Sequence, residues 1–203
     1  MKKNIFLLII SCLFVSCAKD EVMDRTIFIP DEGDSTLPAY TEWGYNSFGA
    51  DYERSYFLVS NNIVPCKVLY KDGKLSFSLN GIYKERGYGY YANVPMMISV
   101  SFPMSNVAGY TDLVQLNDVK INLAVADCTV KILKNEVEIP IDDVLDGSVL
   151  YFKRAQLLNI DESPNRTILS GTFDLRFIRG GYPESISDGR FDVGINNDVF
   201  YAY

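Results

Sequence analysis

From Arg54 onward, apolar and polar residues alternate in run after run, and this period of two constrains the fold more than any other feature of the chain. Leu75, Phe77 and Leu79 are separated by Ser76 and Ser78; Phe173, Leu175 and Phe177 by Asp174 and Arg176; Phe191, Val193 and Ile195 by Asp192 and Gly194. Successive side chains of a strand point to opposite faces, so each run offers one face to a core and the other to water. The sets Ile121, Leu123, Val125 and Val137, Ile139, Ile141 are expected to point inward in the same way. No stretch sustains a helical stripe, and Tyr110–Asp118 is expected to form no more than a short turn of helix. One-sided strands between Gly, Asn, Asp and Pro turns predict an all-β fold, an antiparallel β-sandwich or barrel in a single domain. Lys71-Asp72-Gly73-Lys74 reads as the tight turn of a hairpin that pairs Ile63–Tyr70 with Leu75–Asn80.

The chain begins differently. Lys2 and Lys3 precede an apolar run, Ile5 to Val15, that is too short to span a bilayer but suits a secretory signal. The run ends in Leu13-Phe14-Val15-Ser16-Cys17, which resembles a lipobox. The expected order is a lipoprotein signal peptide over 1–16, a lipidated Cys17 with a flexible tether to residue 41, and a β-rich domain over 42–203. Two or three acyl chains would hold such a protein to a membrane, since one binds only marginally. Ala18-Lys19-Asp20-Glu21 resembles the export signal of Bacteroidota surface lipoproteins, which implies the outer face of the outer membrane; the periplasmic face is the alternative. Within the tether, Asp34-Ser35-Thr36 resembles a short O-glycosylation motif of the same group.

Composition excludes several functions. The net charge is −7 and loss of Lys2 and Lys3 makes it more negative, so no nucleic-acid partner is expected and the membrane is met through lipid. There is no histidine, which removes Ser-His-Asp and Cys-His catalysis and the usual zinc sites. A hydrolase working with two carboxyl groups survives that exclusion. No cofactor and no metal site is expected. Cys66 and Cys128 are the cysteines left in the mature domain, either bonded to each other or separate as buried thiols.

Two further stretches carry a resemblance. Thr41-Glu42-Trp43-Gly44-Tyr45-Asn46-Ser47-Phe48-Gly49 opens the folded part, and Ser170-Gly171-Thr172-Phe173 and Gly189-Arg190-Phe191-Asp192 lie near its end. Together they resemble uncharacterised surface lipoproteins of Bacteroides and relatives, whose domains share a T-x-x-G-x-N-T/S-F-G entry and S-G-T-F and G-R-F-D strands. The resemblance implies a β-rich surface domain and brings no catalytic residues. Ala50-Asp51-Tyr52 departs from the valine-asparagine-glycine continuation common in that group. Read physically, Gly171 marks a bulge or close backbone approach, and Asp188-Gly189 a turn into the last buried strand.

Two groups of residues are candidate sites. Tyr83, Tyr88, Tyr90 and Tyr91, with Gly87 and Gly89 between them and Trp43 as an extension, are residue types that stack on sugar rings. The alternative is that these tyrosines simply cover sheet. Asp142, Asp143 and Asp146 before Gly147 are read as a solvated turn rather than a calcium or acid–base site. The expected function is a non-catalytic module binding a ligand, such as a glycan, or an envelope protein. A structural or adhesive subunit of a surface assembly is second, and a carboxylate-based hydrolase third.

Overall fold

A computed structural model describes residues 25–86, 91–161 and 163–203. Cys17, the expected signal peptide and the first part of the expected tether lie outside them, as do Tyr88 and Tyr90. In chain order the strands are β1 (Ser47–Tyr52), β2 (Ser55–Leu58), β3 (Cys66–Lys71), β4 (Lys74–Arg86), β5 (Tyr91–Pro103) and β6 (Val119–Asn122). They continue as β7 (Thr129–Lys134), β8 (Val137–Ile139), β9 (Asp143–Val144), β10 (Val149–Ile160), β11 (Ser163–Arg179), β12 (Tyr182–Ile195) and β13 (Phe200–Ala202).

Tight turns set the registers. Asp72 and Gly73 take φ values of 51° and 74°, the left-handed pair that a two-residue hairpin needs, and Lys71 faces Lys74 across it. Asn135-Glu136 and Gly180-Gly181 do the same between β7 and β8 and between β11 and β12. The strands join in the order β6-β10-β11-β12-β1-β2-β4-β5-β7-β8, with β3 beside the first half of β4 and β13 beside β3. The β13–β3 pair is parallel; the other pairings are antiparallel.

The core shows that this one sheet curls. Phe77 on β4 lies 5.3 Å from Phe152 on β10 and 5.1 Å from Phe191 on β12, although those strands are well separated in the sheet. Phe102 and Phe152 extend the aromatic cluster along the concave face. The sheet is therefore a half-barrel with an all-β core. A short 3-10 helix, Tyr110–Leu116, tucks the buried Leu113 and Leu116 under β10 and β11.

Three expectations about direction are corrected. Val125 and Val137 are exposed, because β6 already ends at Asn122 and β8 is a short rim strand. Asp188-Gly189 is not a turn between strands: β12 runs through it, and Asp188, at φ 51°, is the extra residue of a bulge. Asp192 faces away from water rather than toward it. It is 1% exposed and accepts hydrogen bonds from Thr41 Oγ1 (2.6 Å), Trp43 N (3.0 Å), Gly44 N (2.7 Å), Tyr45 N (3.2 Å) and Ser170 Oγ (2.9 Å).

That carboxylate explains the end motifs physically. Thr41 and Gly44 of the entry, Ser170 of the S-G-T-F strand and Asp192 of the G-R-F-D strand form one buried knot. Asn46 joins it by accepting the Gly194 N–H. A Cβ at Gly171 would overlap the Tyr151 carbonyl oxygen, and one at Gly189 the Phe173 carbonyl oxygen.

Residues 25–41 are not the free tether expected of 17–41. Leu37 is buried, Ile27 N–H donates to the Tyr45 carbonyl, and Ala39 N–H to that of Ile29. Arg190 binds Asp31 at 2.6 Å. The acids that look like a hydrated linker form local turns instead, Asp31 accepting from Gly33 N and Asp34 N. These backbone bonds, with Arg190 behind them, hold the Asp31 carboxyl below its ordinary value. A depressed carboxyl pKa stabilises the folded form above the unfolded pKa and ceases to do so as pH falls through the folded one. Hydrogen exchange at Ala39 N–H, measured relative to its intrinsic rate at each pH, should therefore stay slow through the ordinary carboxylate range and quicken below it. Quickening that begins above that range would contradict the assignment.

Cys66 and Cys128 are separate thiols. Cys66 aligns with Leu79, Ile98 and Ile132 across β4, β5 and β7, so Cys128 stands three strands away and four residues along. Three strand spacings alone are ~14 Å, against a ~7 Å limit between the Cα atoms of a disulfide. Burial pushes both thiols up. A maleimide should label the half-exposed Cys128 in the native protein and Cys66 only after unfolding, as peptide mass mapping would read; native protection of both would indicate a bond.

Candidate functional site: an amide-lined cleft beside Trp43

The curl and the parallel β3–β13 pair bring three chain segments to one side of the sheet. The β2–β3 loop carries Asn61 and Asn62 and is pinned to β4 by Asn80, whose side chain donates to the Val64 carbonyl and whose N–H donates to that of Pro65. The β12–β13 loop carries Asn196 and Asp198. There the Asp198 N–H donates to Asn196 Oδ1 (3.0 Å), and Val199 is locked in turn to β3 through Val68 N. Asn46 and the strap residues Arg25 and Thr26 complete the wall.

Between them lies an open cleft of about 630 Å³. Its wall holds four asparagines, while Ile63, Pro65 and Val199 add apolar surface. An asparagine amide offers two donors and an acceptor oxygen, so such a wall can satisfy a ligand group that both donates and accepts. Asn61 and Asn62 are exposed, and among the described residues their side chains make no hydrogen bond. One basic and one acidic side chain, Arg25 and Asp198, leave the cleft with little net charge. This chemistry suits a neutral molecule rich in hydroxyl groups.

Trp43 is 71% exposed, yet its backbone is fixed through Asp192. Only Gly44 and Tyr45 separate it from Asn46, so its Cα lies within about 10 Å of the cleft wall. A rigidly based, open indole can stack on an apolar ring face.

The expected tyrosine surface is divided. Tyr83 faces Val94 across the hairpin and turns inward, its ring 5.1 Å from Tyr52 and capped by Lys134 Nζ at 3.9 Å. Burial raises its pKa, with Glu85 and Glu184 adding to the effect. Tyr91 is three residues before Val94, hence on the opposite side, and is 58% exposed. Trp43 belongs to the β12 side of the sheet, separated from Tyr83 by β1 and β2. Trp43, Tyr83 and Tyr91 therefore do not share a surface. Asp142, Asp143 and Asp146 are exposed, as the solvated reading requires, but the segment is not one turn: Asp143 lies in β9 beside Ile178 of β11, and Asp142 accepts from Gly181 N of the β11–β12 turn.

No protein-family model matches this chain, and comparison with curated proteins and with solved structures finds no match. The class it belongs to is thus set by its architecture: a single all-β domain on a curled antiparallel sheet.

Proposed function

We propose that the chain is a lipid-anchored, non-catalytic binding module on the outer face of a bacterial outer membrane, and that its cleft takes a neutral, hydroxyl-rich ligand of the glycan class. The observation that carries the reading is the concentration of asparagine amides around one 630 Å³ opening. Sugars present hydroxyls that both donate and accept, together with apolar C–H faces, and the amides with Ile63, Pro65 and Val199 answer both. The lipobox-like end of the signal, with Cys17 as lipid acceptor, supports the anchor; the resemblance to Bacteroides surface lipoproteins supports the location.

The test is a glycan array followed by calorimetry. Wild type should retain a neutral oligosaccharide. Asn61→Ala with Asn62→Ala, which removes two or more hydrogen bonds of ~1 kcal/mol each, should weaken binding tenfold or more. Trp43→Ala should weaken it comparably, and Tyr91→Ala should leave it unchanged. An array without retention, or equal binding by the double asparagine variant, would refute the assignment. The anchor is tested separately: Cys17→Ser should release the protein from the membrane fraction, and retention there would contradict lipidation.

A further inference from the structure

The two ends of the sheet are finished differently. At one end β8 is three residues long, carries Glu138 at its centre and is flanked by Glu136 and Pro140, features that discourage further pairing. At the other end β6 covers only Val149–Phe152 of β10. Lys153 is then an extra residue in β10, since Phe152 faces Gly171 while Arg154 faces Ser170. Such a bulge bends the strand, and the pairing with β6 stops there.

Beyond it, β10 is regular from Arg154 to Ile160. The later irregularity opposite Leu158 and Asn159 places its extra residue, Asn165, in β11. Ala155 N–H donates outward to Asn117 Oδ1 at 3.1 Å. By the period of two, Leu157 and Asn159 also present their N–H and C=O groups outward. Among the described residues nothing bonds them on that side. The stretch Gln156-Leu157-Leu158-Asn159-Ile160 holds no charge and no proline, and Ile160 is exposed. This edge lacks the protection that β8 has.

We propose that the edge pairs with the same edge of a second copy of this chain, antiparallel, about a twofold axis at Leu158. In that register Leu157 faces Asn159 of the copy and Asn159 faces Leu157, and each outward pair exchanges two main-chain hydrogen bonds. Centring on Leu157 instead would require the Ala155 N–H, which Asn117 already holds. With Leu158 at the centre, leucine meets leucine and Gln156 meets Ile160. Arg154 then lies one residue from the position opposite Asp161 of the copy, so opposite charges approach each other at both ends. The self-complementary charge and the open ladder favour a second copy over an unrelated strand. The contact is small, so the dimer is weak and cross-linking reads it better than size.

In the full chain carrying Cys128→Ser, Leu158→Cys places two thiols opposite each other, with Cβ atoms about 5 Å apart. Mild oxidation should give a disulfide-linked species at twice the mass of the single chain. Gln156→Cys, which faces Ile160, should give at least tenfold less, and Val137→Cys on the opposite rim no more than the Cys128→Ser background. Adding Asn159→Pro, which removes an outward N–H, should abolish the Leu158→Cys product while thermal melting by circular dichroism shows the domain still folded. The proposal is overturned if folded Leu158→Cys stays monomeric, if it links no better than Gln156→Cys, or if it links to a different polypeptide.

Discussion

Asp192→Ala should destabilise the domain by about 4 kcal/mol, because it strands three backbone N–H groups and two hydroxyls that the carboxylate now accepts. For a domain of this size that corresponds to a fall in Tm of about 10 °C. Asp192→Asn should do nearly as badly. Each of these five partners donates to Asp192, and an amide would aim its own N–H groups at some of them. The chain has a single tryptophan, Trp43, and it sits on the loop that Asp192 holds. Its fluorescence anisotropy should therefore drop in either variant at temperatures where the core is still folded. An asparagine variant with wild-type Tm and anisotropy would show that Asp192 is not the clamp.

Gly171→Ala should be the next most damaging change. Its Cβ would overlap the Tyr151 carbonyl oxygen of the neighbouring strand and press on the Phe191 ring at 2.7 Å. Neither can yield cheaply: the first is backbone paired in the β10–β11 ladder, and the second lies in the aromatic core. Overpacking against such neighbours costs about 3 kcal/mol or more. Gly73→Ala is the control. Its positive φ makes alanine unfavourable there, but a Cβ meets nothing within 4 Å, so the loss should stay near ~1 kcal/mol. Urea melts of the two variants measure the contrast; equal midpoints would refute the close-approach account of Gly171.

The all-β antiparallel class was legible because burial on one face leaves a period of two, as in Phe173, Leu175 and Phe177 or Leu75, Phe77 and Leu79; the curl that closes the sheet into a half-barrel rests on contacts between distant strands and was not. The same rule misread Asp192. A charged residue on the solvent parity looks hydrated, and nothing local reveals that a loop 148 residues away in sequence folds over it. Residues 25–41 misled for a related reason: short polar side chains serve a structured turn as well as a hydrated linker. The tyrosine-rich hairpin promised a shared surface, but alternation sends Tyr83 and Tyr91 to opposite sides. The cleft was invisible because asparagine is a common turn residue and nothing local marks Asn61-Asn62 or Asn196 as members of a site. They converge through the parallel β13–β3 pairing, a non-local contact that alternation does not encode.

Assignment of the cleft as the ligand site is tested most directly by side-chain amide resonances in a titration with a neutral oligosaccharide retained on the array. The amides of Asn61, Asn62 and Asn196 should shift together and saturate with the affinity found by calorimetry, and the Trp43 indole N–H should move with them. Shifts confined to the Tyr83–Tyr91 hairpin, with the three asparagine amides unmoved, would place the ligand elsewhere and contradict the assignment.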